Sequence, residues 1–311
     1  MRDRIYLAVF LVGAGLLLYV GRGLIAESEL AAWALTFAGT TAVAVLGMAL
    51  YRVQLELRAS RDELTRKQAE LNFAREVQHS LFPRQFPSGG GLEFSAVCVP
   101  ASGISGDYYD VIQLPDGRLV FSLADISGKG ISAAILMSNL HAALRVLAAG
   151  GRSPHEVCFQ LNQHLCQITA DSRFATLFYG EWNPSQRRLS YVNAGHLAPI
   201  LIHSGGSQRL EAGGPPLGIF PQSKHPVGGV QLQPGDLIVL FSDGITEAGV
   251  DQGMEFGESR LQAVIAAHAQ EPLAEIQRQV LTAVRNWSGT EPEDDMTLLF
   301  VRATGPVLEE P

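Results

Sequence analysis

The chain has 311 residues, 47% of them apolar and only 17% charged, with a formal net charge of −8. That acidity argues against a nucleic-acid binder, which usually carries a basic face, and does not exclude a site that gathers carboxylates around cations. The three cysteines, Cys98, Cys158 and Cys166, form no CxxC pair and fit reduced thiols better than a disulfide framework or a zinc site.

Almost all the apolar excess lies in the first fifty residues. Ile5–Gly21 is an uncharged run of about seventeen residues, and Leu30–Tyr51 is a second of about twenty-two, comfortably enough to span a bilayer. Arg2 and Arg4 make a plausible basic start for a cleaved signal peptide. A second run follows so closely that a transmembrane hairpin over residues 1–51, with spans at about 5–21 and 30–51, is the better reading. Arg2 and Arg4 precede the first span, and Arg52, Arg58, Arg61, Arg66 and Lys67 follow the second, with Arg22 alone between them. This bias predicts a multi-pass protein of the inner cell membrane with both termini in the cytoplasm.

No Gly or Pro interrupts the stretch between Gly47 and Pro83, so residues 52–83 read as a linker helix continuing the second span. Leu57, Leu64 and Leu71 recur every seven residues, beside a companion seam of Val53, Ser60, Lys67, Ala74 and Leu81. Together they approximate the stripe of a weak coiled coil, through which residues 52–82 would pair two copies. An amphipathic helix lying on its own domain fits the same pattern.

From Leu92 the pattern changes to short β-like runs between Gly-rich turns. Strands are expected at Glu93–Val99, Tyr108–Leu114, Arg118–Ala124, Phe174–Trp182, Leu189–Asn193, Pro199–His203, Leu237–Phe241 and Met296–Arg302. Helices are expected at Ile131–Ala149, Pro154–Thr169, Glu258–His268 and Leu273–Trp287. Two helices between the third and fourth strands, and two more before the last, predict a layered α+β domain over residues 92–304, followed by a tail at 305–311.

Acidic residues stand at the ends of these strands: Asp107 in SGDYYD, Asp125 in ADISGKG, Asp243 in FSDG, and the pair Asp294-Asp295 before Met296. Each alone is compatible with ordinary turn chemistry. Carboxylates beside buried strands are costly unless paired or bound to a cation, and a set of oxygen ligands suits Mg²⁺ or Mn²⁺ rather than zinc. Ser127-Gly128-Lys129-Gly130 is not a Walker phosphate loop, because Leu123 and Gly130 stand where Gly and Ser or Thr are needed. A cyclase would explain SGDYYD and leave the SDG and DDMT motifs without a role.

From about Phe73 to Ala303 the sequence resembles the PPM-type (protein phosphatase 2C-like) serine/threonine phosphatases, in their bacterial SpoIIE/RsbU-type branch. The resemblance rests on AREVQ at 74–78 with LFP at 81–83, SGDYYD at 105–110, ADISGKG at 124–130, NAGH at 193–196, FSDGITEA at 241–248 and DDMTLL at 294–299. SGD replaces the more usual GGD and keeps its Asp. The resemblance implies a layered β-sandwich flanked by helices (α-β-β-α) that hydrolyses phosphoserine or phosphothreonine with two Mn²⁺ or Mg²⁺ ions. It implies Asp107, Asp125, Asp243 and Asp294 as metal-site carboxylates, with Asp107 and Asp125 also in the catalytic role and Asp125 bridging. Ile126 would lend its backbone carbonyl, and Asp295 is the alternative to Asp294. Gly106, Gly128 and Gly130 would let the backbone approach the ions. Lys129 and His196 have open roles, as a phosphate contact against a surface lysine and as a proton donor against a structural histidine; Glu247 is unassigned. The implied substrate is a phosphorylated anti-sigma-factor antagonist. It would be recognised through the surfaces Ser204–Gly229 and Gly249–Gly257. The competing reading is a catalytically inactive phosphatase fold serving as a docking module at the membrane.

Overall fold

β3 (Leu119–Ile126) is apolar at nearly every position because both of its faces are covered. Leu119, Phe121 and Leu123 point one way, into a core shared with Ile238, Leu240, Leu299 and Val301 of another sheet. Val120, Ala124 and Ile126 point the other way, beneath Met137, Leu140, Leu161 and Leu165 of two helices. The same two-residue alternation repeats in β10 (Leu237–Phe241), whose Leu237, Val239 and Phe241 meet Ile265, Ile276, Val280 and Val284 of a second helix pair. Three cores therefore separate four layers in the order helices, sheet, sheet, helices, as the α-β-β-α expectation has it.

The computed structural model describes residues 12–16, 18–21, 29–101, 103–169, 173–289, 292 and 294–305. One sheet runs in the order β1 (Leu92–Val99), β11 (Met296–Ala303), β10, β6 (Ile200–His203), β7 (Gly206–Arg209). The other runs β2 (Tyr108–Gln113), β3, β4 (Ala175–Asn183), β5 (Arg188–Ala194), β8 (Gly213–Gly214), with β9 (Gly228–Gln231) also paired to β5. α3 (Ile131–Ala149) and α4 (Pro154–Ile168) cover the second sheet; α6 (Gly257–Ala267) and α7 (Leu273–Ser288) cover the first. α4 begins with Pro154 behind a capping box in which Ser153 and Glu156 satisfy each other's backbone N–H groups.

All eight expected strands and all four expected helices of this domain are present, with ends shifted by one or two residues. β7, β8 and β9 lie inside Ser204–Gly229 and just beyond it, a stretch read as a recognition surface or connecting loops, with no strand expected. Two more departures are α5 (Asp243–Thr246) and a 3-10 turn at Val250–Gln252.

The chain divides into two compact units, Met1–Glu70 and Leu71–Pro311. In the first, α1 covers the described residues 12–16 and 18–21, and it touches α2 (Glu29–His79): a Cβ on Gly39 would lie 2.6 Å from Leu18 Cδ1. Residues 1–4, residues 5–11 and 17 of the expected first span, and the turn at 22–28 lie outside the described residues, as does 306–311 of the expected tail. The part of α2 from Thr36 onward is long and apolar enough to cross a membrane, and Phe37, Val45 and Met48 on it are exposed. α3 meets the same length and hydropathy criterion, yet its Ala133, Met137, Leu140 and Leu144 are buried against the sheet that contains β3. The second unit begins at Leu71 because the segment after α2 is packed into it. Leu81 lies on the helix-side core, Phe82 stacks 4.8 Å from Tyr109, and Phe86 lies 5.9 Å from Phe94.

Candidate metal centre

The two sheets bring their carboxylates to one end of the sandwich. Asp107 immediately precedes β2 and Asp125 is the penultimate residue of β3; because Tyr108 pairs with Ala124, the two acids sit one step further along the same strand pair. Asp243 opens α5 directly after β10, and Asp294 and Asp295 lead into β11, which pairs with β10. Ser242 ties these last segments together. Its N–H donates to Thr297 O, its hydroxyl donates to Asp295 O at 2.8 Å, and it accepts from Thr297 N at 2.9 Å. A Cβ on Gly244 would run into Asp295 O, so the SDG glycine is required by this close crossing.

The electrostatics make one group of these acids. Burial and then the neighbouring charge of Asp125 push the Asp107 carboxyl well above its ordinary range. Asp125 is pushed up to about 6 by burial, then by Asp243, Asp294 and Asp295. Asp243 is raised by burial and by Asp294, and Glu247 by burial and by Asp243. Neighbouring acids thus oppose the ionisation of Asp107, Asp125 and Asp243, a conflict that bound cations relieve.

Asp294 and Asp295 have different surroundings. Asp295 accepts from Ala101 N (2.8 Å), Ser105 Oγ (2.8 Å) and Gly106 N (2.7 Å), which occupies both of its oxygens with the loop before β2. Asp294 is half-exposed and meets Lys129 Nζ at 2.9 Å across the site. Lys129 is therefore an ion-pair partner on the rim rather than a group reaching into the fold.

His196 lies apart in chemistry. Its Nδ1 meets Thr176 Oγ1 at 2.8 Å, its N–H donates to Asn193 Oδ1, and Asn193 Nδ2 donates back to its carbonyl. Burial pushes its pKa down to about 4, which keeps the ring neutral and unsuited to donate a proton at neutral pH. The thiols are equally quiet, with burial pushing Cys98 up to about 12 and raising Cys158 as well.

The residues fit a hard divalent cation. Asp107 Oδ2 is buried with no hydrogen-bond partner, which is costly unless a ligand reaches it. Gly106 opens the space beside it: a Cβ there would stand 3.1 Å from Ile126 O and 3.6 Å from Asp125 Oδ1. A Cβ on Gly128 or Gly130 would meet no protein atom, and both adopt positive backbone φ, 100° and 74°, which favours glycine. Among the described residues no three His, Cys, Asp or Glu side chains are gathered tightly enough to hold a metal ion by themselves. Mg²⁺ and Mn²⁺ accept that situation better than zinc, because they keep several waters and need only one or two carboxylates each.

A cavity of about 250 Å³ opens beside Asp294, lined by Lys129, Glu247, Gly249, Asp251 and Arg285 among others. Arg285, from α7, is a residue that sequence reasoning did not single out; it carries no motif, and only the packing of α7 brings it here.

Comparison with known proteins identifies the family and the fold. The family model described as Stage II sporulation protein E (SpoIIE) matches residues 115–304. The chain is 32% identical over 259 residues to phosphoserine phosphatase RsbU of Bacillus subtilis (strain 168), covering 82% of this chain and 75% of that protein. Among solved structures, the SiaA-PP2C domain of Pseudomonas aeruginosa superposes with a TM-score of 0.69 at 22% identity, over 77% of this chain and 98% of that one. The catalytic domain of the serine/threonine phosphatase PstP, solved with two manganese ions, gives a TM-score of 0.54 at 14% identity, over 69% and 99%.

Proposed function

The chain belongs to the SpoIIE family of PP2C-type phosphatases and is a protein serine/threonine phosphatase, and on that premise we propose that it is a membrane-anchored, two-metal enzyme acting on a phosphorylated anti-sigma-factor antagonist. The single observation that supports the metal reading is the buried, unpartnered Asp107 Oδ2 beside Asp125, which in turn lies near Asp243 and Asp294 of the other sheet.

Asp107, Asp125, Asp243 and Asp294, with the carbonyl of Ile126, would hold two Mn²⁺ or Mg²⁺ ions. Such a pair supplies a water deprotonated near neutral pH and neutralises charge on the phosphoryl oxygens. The PstP structure contains two manganese ions, which supports this cofactor class. Asp294 is preferred to Asp295 because the Asp295 oxygens are already occupied by the 101–106 loop. Asp125 lies among the other three acids and suits the bridging role. Lys129 holds Asp294 at the rim, where the incoming phosphoryl group would meet its charge. His196 keeps the NAGH turn in shape as a neutral ring.

The proposed organisation is a transmembrane hairpin at 1–51, a linker helix at 52–83, the phosphatase domain at 92–304 in the cytoplasm, and a tail. The apolar start of α2, its contact with α1 at Gly39, and the basic residues that follow support the anchor. The name of RsbU, a phosphoserine phosphatase, supports a phosphoprotein substrate. A cation pair selects the phosphoryl group and tolerates many alcohols, so choice among proteins falls to surfaces such as the cavity beside Asp294.

The test uses the full chain in detergent micelles with saturating Mn²⁺. kcat/KM should be much larger for the folded phosphorylated antagonist domain than for a peptide carrying the same phosphoserine, and Asp243→Ala should lower kcat about 100-fold or more on both. Equal kcat/KM on the two substrates refutes the substrate assignment. An unchanged rate in the variant refutes the metal assignment.

A further inference from the structure

The loop that delivers Asp107 is held by Ser105 of the SGDYYD motif and Gln78 of the AREVQ motif. Ser105 is fully buried, and every polar atom it owns is engaged. Its hydroxyl donates to Asp295 Oδ2 at 2.8 Å and accepts from the Asp107 N–H at 2.9 Å and from the Cys98 thiol at 3.2 Å. Its backbone is clasped by one side chain: Ser105 N donates to Gln78 Oε1 at 2.9 Å, and Gln78 Nε2 donates to Ser105 O at 2.6 Å. Gln78 is itself buried and lies in the last turn of α2, where the nearby Arg75 donates to Gly103 O. The 103–106 loop is therefore suspended between the end of α2 on one side and Asp295, at the root of β11, on the other.

We propose that Ser105 and Gln78 are positioning residues that hold Asp107 in its cation-binding place, Ser105 through its hydroxyl and Gln78 through Ser105. The inference rests on the reading of Asp107 as a metal ligand. Its physical basis is the geometry of the hydroxyl. One oxygen atom links the backbone N–H of Asp107 to the carboxylate of Asp295, and so ties an acid of the second sheet to the strand root that carries Asp294. A glycine here, the residue more usual in the resembled branch, would offer neither bond, and Asp295 would have only Ala101 N and Gly106 N to hold the loop. Asp107 Oδ2 has no hydrogen-bond partner of its own, so beside the contacts of its carboxyl with Thr297 and Ser242 its placement depends on the backbone to which Ser105 is bonded. Partners behind a ligand ordinarily change metal affinity about 10- to 100-fold when removed.

The experiment titrates Mn²⁺ into the full chain in detergent micelles by isothermal calorimetry, following bound Mn²⁺ by electron paramagnetic resonance, with metal-free thermal unfolding alongside. Ser105→Ala, Ser105→Gly, Gln78→Ala and, as the control on the underlying reading, Asp107→Asn are compared with wild type. Asp107→Asn should abolish binding at one of the two sites. Ser105→Ala and Gln78→Ala should each raise the Mn²⁺ Kd at that site about 10-fold or more and alter the resonance of the bound ion, while the other site keeps its affinity. Mn²⁺ affinity within twofold of wild type in both the Ser105 and Gln78 variants, with Asp107→Asn still defective, overturns the positioning role alone. Wild-type Mn²⁺ binding by Asp107→Asn overturns the metal-ligand reading beneath it. If Ser105→Ala fails to fold, Ser105→Gly and Gln78→Ala carry the same comparison.

Discussion

Asp125 is opposed in its ionisation first by burial and then by Asp243, Asp294 and Asp295, so its pKa stands at about 6 instead of 3.8. Folding therefore favours its protonated form: the stability it contributes is present below about pH 4 and is lost as pH rises through 6. His196 works in the opposite sense, since its depressed pKa of about 4 means stability present at neutral pH and lost on acidification. A difference between proteins isolates the carboxylate. In EDTA, Asp125→Asn should be more stable than wild type at pH 7, and that advantage should shrink by about 1 kcal/mol at pH 5, allowing for the partial exposure of Asp125. With saturating Mn²⁺ at pH 7 the order should reverse, because the variant has lost a ligand. Urea unfolding of both proteins at the two pH values measures this; an advantage that is the same at pH 5 and pH 7 would show that Asp125 does not titrate in that window.

At the scale of elements, α2 carries an apolar stripe for which the described chain provides no cover: Val53, Leu57 and Leu64 are exposed, and the seam between them is broken by Ser60 and Lys67. Lys67 pairs with Glu63 and Arg66 with Glu70, exposed contacts worth at most about 0.5 kcal/mol each that do not compensate for uncovered leucines. Replacing Ser60 and Lys67 by Leu should tighten self-association about 10-fold or more, measured by sedimentation equilibrium in detergent, and shift the basal phosphatase rate in one direction. Tighter association with an unchanged rate would reduce α2 to a tether. The strands were legible because β3, β4, β10 and β11 are apolar runs bounded by Gly, Asn or Asp. β7, β8 and β9 were not, because Gly206–Arg209, Gly213–Gly214 and Gly228–Gln231 have no alternation of their own; the pairing edges of β5 and β6 impose their extended shape. α5 escaped notice because one turn of helix after Ser242 looks, in sequence, like any Ser-Asp-Gly turn.

For the whole molecule, basic residues flanking both apolar runs make the orientation testable. Reporter fusions after Met1 and after Pro311 should both register cytoplasmic, and a periplasmic signal from the C-terminal fusion would refute the hairpin. Much of the chain's chemistry was readable in one dimension. Apolar runs ending in Asp marked the strand ends at which acids would meet, and the order of SGDYYD, ADISGKG, FSDG and DDMT carried the family, since these residues are constrained by local backbone and by the reaction. What one dimension could not supply was which neighbour does what. Asp294 and Asp295 are adjacent and chemically identical, and they separate only because the loop before β2, some 190 residues earlier in the chain, saturates one carboxylate and leaves the other at the rim. The partner of Gln78 in AREVQ was not legible until the fold buried it against Ser105, and Gly244 read as an ordinary turn residue until Asp295 O was found pressed against it. Hydrophobic pattern follows from each residue's own preference for water or core, whereas hydrogen-bond partnership belongs to pairs, and pairs distant in sequence exist only once the two sheets have closed on each other.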